Sequence, residues 1–77
     1  MNKKRRQQVS DISDKLEEIQ VDIENVRSDE DYAYENLPET VRYSEKGEAM
    51  LDAIGNMEDA LSSVGDAIDY LNSVLEQ

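Results

Sequence analysis

Apolar residues recur along this chain at alternating spacings of three and four, in two separate runs. The first is Val9, Ile12, Leu16, Ile19, Ile23 and Val26; the second is Met50, Ile54, Met57, Leu61, Val64, Ile68, Leu71 and Leu75. A mean period of about 3.5 residues is the seam of one helix lying along another. Acidic residues, among them Asp11, Asp14, Glu17, Glu18, Asp22 and Glu24, fill the positions between the first set. The runs are separated by Asn36-Leu37-Pro38-Glu39. Proline disfavours helical dihedrals in the residue before it and removes a backbone donor, so a helix is expected to end there. The pattern predicts helix 1 over about 5–35, a connector over 36–44 and helix 2 over about 45–76. The predicted fold is all-α: a two-helix antiparallel hairpin.

Local signals refine this outline. Val21 falls outside the seam of helix 1, and Glu30 stands where an apolar residue is due before Ala33 and Leu37 resume the ladder. Ser28-Asp29-Glu30-Asp31 also reads as a helix start with Ser28 as N-cap, so a break near Arg27 is an open alternative to a continuous helix 1. Ser44 is a suitable N-cap for helix 2, with Glu45 and Glu48 in its electropositive first turn. Gly47 in that turn costs about 1 kcal/mol relative to Ala. Helix 2 carries a further stripe, Ala53, Ala60, Ala67 and Val74, each seven residues apart. Small residues in register admit a second helix closely, so the homo-oligomer interface is expected there.

Size makes association a physical expectation. With 77 residues, only 38% of them hydrophobic, a lone hairpin covers each seam residue on one side. Ordering costs about 1.5 kcal/mol per residue, so a monomer is marginal. A homodimeric four-helix bundle is the simplest remedy. Without cysteine, the fold rests on packing alone. Residues 1–6, Met1-Asn2-Lys3-Lys4-Arg5-Arg6, form a basic head on a single hairpin domain, 7–77. The head has the charge of an export leader but not its apolar stretch, and no run approaches a membrane span. Cytoplasm is the expected compartment, with no membrane partner.

Charge narrows the partners. Nineteen acids against eight bases give −11, and setting aside the four bases of the head leaves −15 on residues 7–77. Such a body is repelled by nucleic acid, so no direct nucleic-acid binding is expected. The acidity serves solubility, or it engages a basic partner.

Catalysis has little to work with. There is no histidine or cysteine, hence no ordinary nucleophile–base pair or proton shuttle near neutral pH. Bundle metal centres need histidine beside glutamate, and Asp29-Glu30-Asp31 lacks the glycine of a calcium loop. The chain reads as a non-enzyme with no catalytic residues, no metal site and no cofactor. Unlike chemistry gathers only at the connector, which holds Tyr32, Tyr34, Arg42, Tyr43 and Lys46. A helix N-terminus offers free N–H groups to an anion, and Gly47 leaves that turn without a side chain. The candidate contacts for a small nucleotide-like ligand are Tyr34, Asn36, Arg42, Tyr43, Ser44, Lys46 and Gly47. The plain alternative is a well-built turn.

The basic head, the acidic first helix, Ala33-Tyr34-Glu35-Asn36-Leu37-Pro38-Glu39 and Ser44-Glu45-Lys46-Gly47-Glu48-Ala49-Met50 together resemble a group of short acidic proteins. These are encoded by phages and prophages of Gram-positive bacteria. After Asn-Leu-Pro-Glu that group reads Ser-Leu-Gln, where this chain has Thr40-Val41-Arg42, so Arg42 departs from the shared pattern. Asn36, Pro38, Glu39, Ser44, Glu45 and Gly47 follow it. The resemblance implies a phage accessory protein in the host cytoplasm with a counter-defence role. It would sequester an anionic ligand at the connector, or use its acidic faces to occupy a basic, nucleic-acid-binding groove of a host defence protein. A purely structural coiled coil is the third alternative.

Overall fold

The computed structural model describes all residues 1–77. It contains α1 (Lys3–Glu35), a single turn α2 (Glu39–Arg42), and α3 (Glu45–Leu75), with no strand. α1 starts earlier than the apolar pattern predicts because Asn2 caps it. The Asn2 side-chain oxygen accepts the backbone N–H of Arg5 at 2.8 Å. Lys3–Arg6, in the basic head, therefore forms the first turn of the helix. Cations are poorly placed against the positive end of their own helix. Arg6 finds a better field across the hairpin, donating to the carbonyls of Leu75 and Gln77, the latter at 3.0 Å, at the C-terminal end of α3.

α1 runs unbroken past Arg27, so the alternative of a second helix start at Ser28 is not realised. The Ser28 hydroxyl instead accepts from the Arg27 guanidinium at 3.3 Å, and that guanidinium pairs with Glu24 at 3.0 Å. The helix ends where Asn36 folds back, its side-chain amide donating to the Tyr32 carbonyl at 2.8 Å. Pro38 then opens α2. Its carbonyl accepts from both Val41 and Arg42 at 2.9 Å, and Ser44 occupies the N-cap position of α3.

α1 and α3 lie antiparallel in a rod of 59 × 14 × 13 Å. Ser13 on α1 meets Asn72 on α3, hydroxyl to side-chain oxygen at 3.2 Å, which fixes the register. On α3 the expected seam faces inward, with Ile54 and Ile68 buried and Met50, Met57, Leu61, Val64, Leu71 and Leu75 half-buried. On α1 only half of it does. Val9, Leu16 and Ile23 face α3, but Ile12, Ile19 and Val26 are 48%, 44% and 57% exposed. Their inward places, and that of the exposed Ala33, are taken by Ser13, Gln20, Arg27 and Tyr34. α1 is thus turned by about one heptad position, roughly 50°, from the phase its apolar residues define. The small Ser13, only 4% exposed, lets the helices close where isoleucine would hold them apart. No helix is long and apolar enough to cross a membrane.

Candidate functional site

The connector brings Tyr34, Asn36, Arg42, Ser44 and Gly47 together, and the side chains of Asn36, Arg42 and Ser44 spend their hydrogen bonds on nearby backbone carbonyls. The Arg42 guanidinium donates to the carbonyls of Glu35 at 3.1 Å and Leu37 at 3.4 Å. These stand at the end of α1, where the macrodipole is negative and a cation belongs. The same guanidinium lies 5.8 Å from the centroid of the Tyr34 ring, within cation–π range. Its Nε is buried without a partner. Asn36 is committed as the C-cap of α1.

Gly47 is explained by contact. A Cβ built there would lie 1.9 Å from the Arg42 carbonyl oxygen and 2.6 Å from its carbon. The space opposite Gly47 is occupied by the α2 backbone, and this is what allows α2 to fold tightly onto the start of α3. Ser44 takes the predicted N-cap position but not the predicted bond. Its hydroxyl donates backward to the Val41 carbonyl and makes no side-chain cap to α3. Tyr43 is 74% exposed and Lys46 is also exposed, so these two remain turned to solvent beside the first turn of α3.

A second surface was only partly legible in the sequence. The stripe Ala53, Ala60, Ala67 and Val74 lies along one side of the α3 seam, with Ala60 exposed and the other three half-buried. The displaced α1 residues Ile12, Ile19 and Val26 project from the same side of the hairpin. Val26 and Ala60 line one shallow groove there, together with Ile23 and Met57 and with Asp22 and Asn56 as its two polar residues. The groove on the opposite side is polar, lined by Glu17, Gln20, Val21, Gly65, Ile68 and Asp69. Spacing alone reveals the alanine stripe. It does not reveal the isoleucine counterpart, because the heptad pattern places Ile12, Ile19 and Val26 in the intramolecular seam.

Electrostatically the rod is acidic and largely unpaired. Its one ion pair is Glu24–Arg27. No group of three or more carboxylates converges as a metal site would require.

No family model, curated protein or solved structure matches this chain.

Proposed function

We propose that the protein is a non-enzymatic interaction module that works as a homodimeric four-helix bundle and engages a basic surface of a partner protein. One observation carries this reading. The carboxylates of the outer faces stand free of counter-charge within the chain, while the connector spends its polar groups internally. A rod of this width with unneutralised acids suits a groove built for a nucleic-acid backbone, since field complementarity steers such encounters. The resemblance to phage-encoded proteins supplies the setting: counter-defence in the host cytoplasm, with a nucleic-acid-binding defence protein as the target.

A second reading is favoured by Ser44. With its hydroxyl turned to Val41, the first N–H groups of α3 lack a side-chain cap, beside exposed Tyr43 and Lys46. A small nucleotide-like anion there is the competing function. Native mass spectrometry of the protein recovered from phage-infected, defence-carrying cells separates the two. The expected result is a complex with a basic protein that dissociates as ionic strength rises and is unchanged by Lys46→Ala. A small-molecule adduct on the wild type, lost in Lys46→Ala, would overturn the acidic-surface reading.

A further inference from the structure

The exposed stripe of α1 and the partly exposed stripe of α3 are in register across the hairpin. The Ser13–Asn72 bond and the shared groove of Val26 and Ala60 set the levels. Both stripes repeat every seven residues, so four rungs follow: Ile12 with Val74, Ile19 with Ala67, Val26 with Ala60, and Ala33 with Ala53. The rungs shrink steadily from the chain termini toward the connector. At 1.5 Å per residue the rungs span roughly 32 Å of a rod 59 Å long.

From these rungs we infer that two copies pair face to face with their connectors at opposite ends, related by a two-fold axis across the rod. In that arrangement the largest rung of one copy meets the smallest of the other, and the two middle rungs meet each other. Every one of the four layers then holds one Ile, one Val and two Ala. Equal layers keep the two hairpins parallel at a constant separation, as close-packed interiors require. With the connectors at the same end, the layers would run from two Ile and two Val down to four Ala. The hairpins would then splay at one end or leave voids at the other.

Charge selects the same arrangement independently. Lys3, Lys4, Arg5 and Arg6 cluster at one end of the rod, and none of them makes an ion pair within the hairpin. Asp29, Glu30, Asp31, Glu35, Glu39 and Glu45 cluster at the other. Opposed connectors bring each basic end beside an acidic one. Connectors at the same end would stack base on base and acid on acid. The isologous contact also closes, so association stops at two.

This inference rests on the self-association proposed above, and the test reads the two separately. Sedimentation across a dilution series reports association. Because the chain has no cysteine, a single Glu39→Cys, spin-labelled, reports orientation by its distance to the same label on the other copy. The expected results are a dimer and a label distance on the order of 50 Å, the length of some 33 residues of helix. A distance under roughly 25 Å, two or three helix spacings, would overturn the orientation while leaving dimerisation intact. A monomer at every concentration, or a larger oligomer, would overturn the pairing itself. Ile19→Glu is expected to abolish the dimer, whether or not the released hairpin stays folded. Val21→Glu, in the opposite groove, is expected to keep it, and equal loss in both variants would also overturn the assigned face.

Discussion

Gly47 and Arg42 form one device, in which an arginine ties down the end of α1 while its own carbonyl fills the space a glycine leaves on α3. Gly47→Ala drives a methyl group into backbone, so it is expected to lower stability by about 1–3 kcal/mol despite alanine's better helix propensity. Gly55 is the control, because a Cβ there meets nothing within 4 Å. Gly55→Ala is expected to raise stability by up to about 1 kcal/mol. Urea unfolding midpoints of the two variants should move in opposite directions. Arg42→Ala removes charge-assisted bonds to two carbonyls and is expected to cost about 1–2 kcal/mol. A ligand contact would instead leave unfolding in the absence of ligand unchanged. The sequence made these residues conspicuous, and their proximity was legible from the connector's length. Whether their polar groups face a ligand or the surrounding backbone was not, since that depends on the one-turn fold of α2 onto α3.

Helix boundaries were readable because local chemistry sets them: Pro38 stops α1, and Asn36 and Ser44 mark the ends on either side. The phase of α1 was not. A heptad pattern states which residues want burial without saying whether the covering helix belongs to the same chain or another. In α1, Val9, Leu16 and Ile23 serve both purposes, whereas Ile12, Ile19 and Val26 remain for a second layer. The unpatterned Ser13, Gln20, Arg27 and Tyr34 line the intramolecular contact. This division has a measurable consequence. Leu16→Ala is expected to cost about 1–2 kcal/mol, less than a fully buried leucine because it is half-buried, and to do so at every protein concentration. The cost of Ile19→Ala should appear only where copies associate, as a melting temperature that loses its dependence on concentration. Equal behaviour of the two variants would mean that α1 sits in the phase its apolar residues define.

For the molecule as a whole, net charge and charge placement act in opposite directions on self-association. Each copy carries −11, and two such rods repel over about 10 Å at 0.1 M salt. Added sodium chloride is therefore expected to tighten the dimer, while loosening any complex between the acidic faces and a basic partner. Sedimentation equilibrium at stepped salt tests the first half directly. The basic ends provide the finer test. With connectors opposed, each set of Lys3, Lys4 and Arg5 offsets part of that repulsion by lying beside the acids of the other copy. Replacing the three with Gln should weaken the dimer most at low salt and leave it nearly unchanged at high salt, where both terms are screened. Were the connectors at the same end, the same replacement would also relieve a base-on-base contact, which opposes the rise in net repulsion and leaves a smaller loss at low salt. The size of the loss at low salt, set against that of a three-charge replacement elsewhere on the outer face, thus reads the orientation with no label. It also ties a charge distribution visible along the chain to the geometry in which the rod assembles.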